Sequence, residues 1–438
     1  MYADFHELFK HWFGLDIPYL SLVKSFGFMV AMAFLSAGYI ILKELQRKEA
    51  NGLVRFTIDD KTVQVKYIWT DYIFNALVGF VIGYKLIGML MNLEIASPDP
   101  MSFIFSSQGS LLAGFIFLLL SLGLKFYYDT QDLKEVPAER KEAGIPFIKK
   151  VKTLPSHRVG DIAVIAAFGG FVGAKIFNAF ETWEDFLAHP LENLLSSSGL
   201  TFYGGLIVAT LALWIYSRRI KLDFRHLCDA AAPALIVGYA IGRLGCQISG
   251  DGDWGIYNSA YTTNEMGQVV QTEMPFEHQI KLHEAHVYRH FEKTEIIPHK
   301  RVTGFAGLPT WLFAYNYPNN VNNVGEPLRG CTGTYCSVLP IPVFPTPVYE
   351  FVMGMLIFLF LWKIRQRFKE PLSIFSIYLI CNGIERFLIE QIRVNYQYDW
   401  GFLKPTQAEI IAVCIVATGV ILFLMRKKID ELITAHEN

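Results

Sequence analysis

The sequence predicts an all-α polytopic membrane protein of about nine spans, and three observations carry that expectation. First, 52% of the 438 residues are hydrophobic and 15% aromatic, with a mean hydropathy of +0.31. Charged residues are 18%, where a soluble chain carries about 25%. Second, nine apolar runs approach the roughly 20 residues that a helix needs to cross a bilayer. Third, lysine and arginine alternate from loop to loop, as they do in a chain threaded back and forth through a membrane.

The first element is amphipathic. Phe5, Leu8, Phe9, Trp12 and Phe13 follow the spacing of one helical face, so residues 1–18 read as a helix lying in the interface rather than as a disordered tail. No basic stretch ahead of a short apolar run marks a signal peptide. The spans then fall near 20–43, 70–92, 109–128, 159–180, 199–217, 225–249, 346–364, 372–393 and 407–425.

Basic residues cluster after the first span (Lys43, Arg47, Lys48), in the 125–158 loop, after the fifth (Arg218, Arg219, Lys221, Arg225), after the seventh (Lys363, Arg365, Arg367, Lys369) and after the ninth (Arg426, Lys427, Lys428). The loops 93–108 and 181–198 hold no lysine or arginine. All agree on an N-terminus outside and a C-terminus in the cytoplasm. The net charge of −1 argues against nucleic acid as a partner.

The second and fourth spans echo each other. Asp71, Ala76, Gly79, Gly83 and Lys85 recur as Asp161, Ala166, Gly169, Gly173 and Lys175. Small residues four apart also serve generic helix packing, so both that reading and a duplicated, parallel segment stand at this point.

The chain divides into the interfacial helix 1–18, spans one to six within 19–250, an extracytoplasmic head segment 251–345, and spans seven to nine with a cytoplasmic tail in 346–438. Pro, Gly and Asn in 298–345 indicate loops. Cys331 and Cys336 lie outside, where thiols oxidise, and are expected to pair. Cys228, Cys246, Cys381 and Cys414 lie in or beside apolar runs and read as small core residues. His283, His286 and His290 share a spacing that metals use, but the block is highly charged and holds no cysteine or paired carboxylate nearby. It reads as a solvated helix rather than a metal site.

Ionisable groups inside apolar runs cost roughly 2.5–3.5 kcal/mol each on insertion scales, so they normally have a partner and a task. Tyr203 sits just inside the outer end of the fifth span, followed by Gly204 and Gly205. Arg243 lies near the outer end of the sixth, with Asp251 and Asp253 just beyond. Glu350 opens the seventh, and Arg386 and Glu390 lie at i, i+4 in the outer half of the eighth. Packing ion pairs scattered through a bundle would have no reason to share this depth. Arginine's planar fork suits a phosphate diester, and the stretch from Gly242 to Gly255 reads as a lipid-phosphate site at a membrane face.

These residues resemble the prolipoprotein diacylglyceryl transferase family. That family's signature, Gly-Arg-x-Gly-Asn-Phe-x-Asn-Gly-Glu-x-x-Gly, is similar to Gly242-Arg243-Leu244-Gly245 continued by Gly250-Asp251 and Trp254-Gly255. Its Ser-Phe-His-Gly-Gly-Leu-Ile block resembles the run from Thr201 to Ile207, and its His-Pro-Ser-Gln-Leu-Tyr-Glu block the run from Phe344 to Glu350. An Arg and Glu four apart in the penultimate helix match Arg386 and Glu390. The blocks keep family order over roughly 159–425, and 65–155 looks like an insertion carrying two spans beyond the family's usual seven. The chain departs from the pattern where the family's histidine is Tyr203, its two asparagines are Cys246 and Ser249, and its glutamate is Asp251. It reads as a divergent branch.

The resemblance implies transfer of the diacylglyceryl group of phosphatidylglycerol to the lipobox cysteine of prolipoproteins in the bacterial inner membrane, with release of glycerol phosphate. It implies an active site facing the outer leaflet and no metal or other cofactor. Arg243 would clamp the phosphate, with Arg386 second, and Glu390 would orient Arg386 or help carry a proton. Tyr203 would donate a hydrogen bond to the head group or, with its pKa of about 10 strongly lowered, act as base. Gly204, Gly205, Asp251 and Glu350 would complete the substrate site, with Asp251 holding Arg243 or the signature loop in place. A lipid or anion transporter is the alternative, although binding groups near the midplane would then be expected. A structural membrane protein would have little need of Arg243 and Arg386.

The loop charges make a direct prediction. Single cysteines introduced in 251–345 label with a membrane-impermeant thiol reagent on spheroplasts, and those in 130–150 do not. The reverse pattern inverts the topology.

Overall fold

The computed structural model describes residues 1–63, 65, 67–143, 146–195, 199, 201–289, 291–292, 296–305, 307–401 and 403–437. Its framework is helical. In chain order the principal elements are α1 (Phe5–Phe13), α2 (Ser25–Ala50), β1 (Thr57–Val63), α3 (Trp69–Met91), α4 (Leu111–Lys134), β2 (Phe147–Thr153), α5 (Val159–Glu181), α6 (Phe202–Arg219), α7 (Phe224–Ser249), α8 (Thr346–Ile364), α9 (Ser373–Glu390) and α10 (Gln407–Glu437). Among the described residues, seven helices are long and apolar enough to cross a membrane: α2 to α5, α7, α8 and α10. The 18-residue helices α6 and α9 coincide with the two remaining apolar runs. The chain is a multi-pass helical membrane protein.

Helix α1 forms where the hydrophobic spacing places it. Asp4 accepts from the Glu7 amide at 3.1 Å, and Gly14 closes the helix in the left-handed conformation. Trp12 and Phe13 remain exposed, as the apolar stripe of an interfacial helix would be.

Helix α7 is the central post. It packs on α2, α8 and α9, while α9 also packs on α10. Its small residues Ala230, Ala232, Ala234 and Ala240 are buried, which allows close approach on several sides. Charges tie its N-terminal end to the neighbours. Lys48 reaches Asp229 at 3.4 Å and His226 at 3.2 Å, and the fully buried Glu44 pairs with Arg47 at 2.5 Å and Arg365 at 3.3 Å. A second cluster, described below, lies at the opposite end.

The remaining four helices form two hairpins, α3 with α4 and α5 with α6, and the hairpins repeat one another in detail. Lys85 Nζ donates to the carbonyls of Phe103, Ser106 and Gln108 at 3.1, 2.5 and 2.9 Å, and Lys175 Nζ to that of Asn193 at 2.8 Å. The Ser110 amide donates to Tyr84 O at 2.9 Å, and the Thr201 amide to Ala174 O at 3.2 Å. Lys85, Tyr84 and Phe103 lie 90 residues before Lys175, Ala174 and Asn193. A lysine in an apolar span lowers its desolvation cost by turning its ammonium to helix-end carbonyls, and both copies use the same solution. These correspondences support duplication over generic packing. The first copy is bracketed by β1 and β2, which pair antiparallel from Thr57↔Thr153 to Val63↔Phe147. The ribbon brings the ends of this first hairpin together.

The 251–345 segment, between α7 and α8, has its own core of Tyr257, Phe276, Val287, Ile297, Tyr317, Leu339, Ile341 and Val343. Only short helices and strands occur there among the described residues. Cys331 and Cys336 are disulfide-bonded. His283 pairs with Glu326 at 2.7 Å, His286 is buried, and His290 lies outside the described residues.

The second hairpin makes a test of close packing. A Cβ at Gly173 would meet the Gly204 carbonyl and lie 2.6 Å from Val208 Cβ, whereas one at Gly170 would meet nothing within 4 Å. Gly173→Ala should cost roughly 1–3 kcal/mol and lower the melting temperature in detergent, with Gly170→Ala unchanged. Equal melting temperatures for the two variants would exclude this helix contact.

Candidate functional site

Three helix ends build the cluster. Arg243 lies in the last two turns of α7, Glu350 in the second turn of α8, and Arg386 and Glu390 in the last turns of α9. Cations near helix C-termini and an anion near an N-terminus sit favourably in the helix dipoles. The side chains meet at one end of the bundle, where the 251–345 segment is attached.

Glu350 is the hub. Its side chain is fully buried, and its carboxylate takes Arg243 Nε at 2.7 Å, Arg393 at 3.2 Å and Arg386 at 3.9 Å. Glu390 takes Arg386 at 2.9 Å, the Thr406 hydroxyl at 2.8 Å and the Asn395 amide at 2.5 Å. Asp253 bridges Arg243 and Arg393. Below them the Arg243 guanidinium lies 5.3 Å from the centre of the Tyr239 ring, and the Tyr239 hydroxyl donates to the buried Glu385 at 3.1 Å. The three arginines keep partial exposure, with 21%, 29% and 15% of their side-chain surface accessible for Arg243, Arg386 and Arg393. Buried carboxylates thus aim partly open guanidiniums at one place. That geometry suits an anion with two or more oxygens.

The loop beyond α7 is stitched in by backbone. The Gly255 amide donates to Phe344 O and the Ile256 amide to Ile392 O, both at 2.9 Å. Thr346 donates its hydroxyl to Asp253 O at 3.1 Å. A Cβ on Gly255 would lie 2.6 Å from Ile392 O and 2.9 Å from Thr346 Cγ2, so glycine is needed for Asp253 and Arg393 to converge. The head segment anchors the same region: Tyr317 donates to Gln247 at 2.7 Å and its ring lies 4.9 Å from that of Trp254. Burial holds the Tyr317 phenol well above its usual pKa, so it stays a neutral donor.

Of the residues singled out from sequence, Arg243, Glu350, Arg386 and Glu390 come together. Tyr203 does not join them: it is 45% exposed near the start of α6, with its ring against Phe202. Gly204 and Gly205 seat α6 against Phe177, Gly173 and Gly170 of α5. Asp251 accepts the Asn322 amide at 2.5 Å through its backbone carbonyl, and the carboxylate that reaches Arg243 belongs to Asp253. Sequence reasoning assigned no role to Arg393, although it continues the spacing of Arg386 and Glu390 to i+7. Tyr239, four residues before Arg243, and Glu385, an ionisable group in the same apolar run as Arg386, carry a similar signal, whereas the positions of Asn395 and Thr406 carry none.

Glu350 yields a stability test. Removing one partner of a buried ionic group costs about 3–5 kcal/mol, and Glu350→Ala leaves three guanidiniums without their shared anion. It should lower folded yield and melting temperature in detergent substantially, with Glu350→Gln intermediate. Wild-type melting of Glu350→Ala would remove the hub role.

Known proteins resemble the chain over this same region. Residues 143–425 match the family model described as prolipoprotein diacylglyceryl transferase. Proteins named phosphatidylglycerol–prolipoprotein diacylglyceryl transferase match from several bacteria. The Leptospira interrogans protein is 29% identical over 273 residues, 57% of this chain and 65% of the relative. The Dehalococcoides mccartyi protein is 24% identical over 281 residues, 64% and 82%. The Chlorobaculum tepidum protein is 25% identical over 295 residues, 64% and 77%. The chain thus spans 65% of the length of the Leptospira relative. With the family model matched along more than half of its length, through the helices that carry Arg243, Glu350, Arg386 and Glu390, the chain belongs to the prolipoprotein diacylglyceryl transferase family.

Proposed function

We propose that the protein transfers the diacylglyceryl group of phosphatidylglycerol to the lipobox cysteine of prolipoproteins, the first step of bacterial lipoprotein maturation. One observation carries the reading most strongly. Three arginines converge on the fully buried Glu350 at one end of the bundle, where a lipid phosphate in one leaflet would reach them. A transporter would instead place its binding groups near the midplane.

The reaction sets two physical tasks. A thiol of pKa about 8.5 must lose its proton, and negative charge must be stabilised on the departing phosphate. The thiolate sulfur forms a bond to the glyceryl CH2, the bond from that carbon to the phosphate ester oxygen breaks, and glycerol phosphate leaves with the electron pair as a dianion, which takes up the proton lost by the thiol or releases it to water. Arg243 clamps the phosphate, Arg386 assists, and Glu390 holds Arg386. Glu350 fixes the arginines from below. Tyr203, Gly204, Gly205 and Asp251 retain their assignment to the lipid site on family resemblance alone. Tyr203 would have to meet the head group from the neighbouring hairpin.

The proposed setting is the bacterial inner membrane with nine spans, the N-terminus and the 251–345 segment outside, the C-terminus in the cytoplasm, and the site towards the outer leaflet. Residues 1–18 lie on the membrane surface in this arrangement, and 65–155 is an inserted pair of spans.

The test is an assay with purified protein, phosphatidylglycerol and a lipobox peptide. Lysine keeps the charge of Arg243 but loses the two-pronged contact. Arg243→Lys should retain a small fraction of activity, and Arg243→Ala should lose at least about a hundredfold, on the order of 2.7 kcal/mol. Wild-type turnover per folded molecule in Arg243→Ala would end the phosphate-clamp assignment.

A further inference from the structure

The ion-pair network balances without a substrate. Arg243, Arg386 and Arg393 pair with Asp253, Glu350 and Glu390, three positive charges against three negative, and the buried Glu385 beside them, bonded to the Tyr239 hydroxyl, adds no positive charge to the set. A phosphodiester brings a further negative charge into this partly enclosed place, where an uncompensated charge is costly. One carboxylate must therefore give way, and the three are held very differently. Glu350 is fully buried and grips three arginines from within α8. Glu390 is 4% exposed and fixed by Arg386, Asn395 and Thr406.

Asp253 is the loose member. Its side chain is 30% exposed. It sits on the loop after α7, just beyond Gly250 and Gly252, which hold φ of +67° and +96°, a conformation that glycine adopts without strain. Besides Arg243 and Arg393, its carboxylate meets the Cys246 thiol at 4.0 Å. It also lies where an anion belongs, between guanidiniums contributed by two different parts of the chain. A carboxylate and a phosphodiester each spread one negative charge over two oxygens, so one can take the other's place between two arginine forks.

We propose that the Asp253 carboxylate is a placeholder for the substrate phosphate: it keeps Arg243 and Arg393 apart and charge-neutral, and the phosphate of the lipid displaces it. This rests on the phosphate-binding reading of the cluster given above. Asp253 is then a determinant of substrate affinity, opposing the ground-state binding of any phosphate that enters.

The test measures binding separately from turnover. Phosphatidylglycerol is titrated into full-length protein in non-ionic detergent, without acceptor peptide. Asp253→Asn should bind at least about fivefold more tightly than the wild type, and Asp253→Glu, which keeps the charge, should stay close to wild type. Inorganic phosphate is added as a second arm. Competition in Asp253→Asn at concentrations that leave the wild type unaffected would show the vacated position accepting any phosphate; tightened lipid binding without competition would show that the lipid head group is the occupant. Either result upholds the placeholder. Unchanged or weaker lipid binding by folded Asp253→Asn overturns it. Should that variant fail to fold, hydrogen exchange of the wild type decides: phosphatidylglycerol should speed exchange of the Gly255 and Ile256 amides, which donate to Phe344 O and Ile392 O, and no change overturns the proposal. Tight binding by Asp253→Asn in a protein with no transferase activity would sink the transferase reading and leave the placeholder standing. Normal transfer with no gain in affinity would do the opposite.

Discussion

The rest of the site depends on one buried carboxylate, that of Glu350. An isolated anion at full burial would be prohibitively desolvated, and three arginines from two directions compensate it. The arrangement works in both senses. The anion draws the guanidiniums inward, and they in turn cannot turn away to solvent without stranding it. An arginine held from within by Glu350 keeps its place when an outer partner is exchanged for a phosphate, and donors held in place are the condition for electrostatic stabilisation of a developing charge.

Glu350 can do this because of what surrounds it. Helix α7 supplies Arg243 and packs on three neighbours through buried alanines, so its position is rigid. The 251–345 segment has a core of its own and reaches back through Tyr317 to Gln247 and through Ile256 to Ile392. These contacts fix the turn after α9 from which Arg393 extends. The head segment is thus part of the scaffold of the site. The opposite end of α7 carries a separate buried network around Lys48, Asp229 and Glu44, so the post is pinned by charge at both ends.

The two hairpins stand in a different relation to the site. Their lysine clips and glycine contacts repeat at a 90-residue interval, yet the first copy has Leu112 where the second has Tyr203, once the one-residue longer loop of the second copy is allowed for. The hairpin geometry recurs without the polar residue. That separation is expected when helix-packing glycines and lysine clips secure the hairpin, and a single exposed side chain carries whatever specialised role it has.

The membrane class, the helix positions and four members of the cluster were legible in the residues alone. Hydrophobic run length, helical periodicity and the insertion cost of charge are local properties, and Arg243, Glu350, Arg386 and Glu390 declare themselves as ionisable groups in apolar runs. The repeat was visible as spacing, but only its equivalent hydrogen bonds separated it from ordinary glycine packing. Tertiary structure alone decided which charges meet. Arg393 and Asp253 lie outside the helices, in loops whose course is set by hydrogen bonds to residues far away in sequence, and no periodicity reports such bonds. For the same reason the sequence favoured Asp251 over Asp253: the two carboxylates are nearly equivalent in composition and position, and the backbone turn through Gly252 decides which of them faces Arg243. Tyr203 shows the converse, since a position shared with the family's motif says where a residue lies along its helix, whereas its distance from the cluster depends on how two helical pairs pack together.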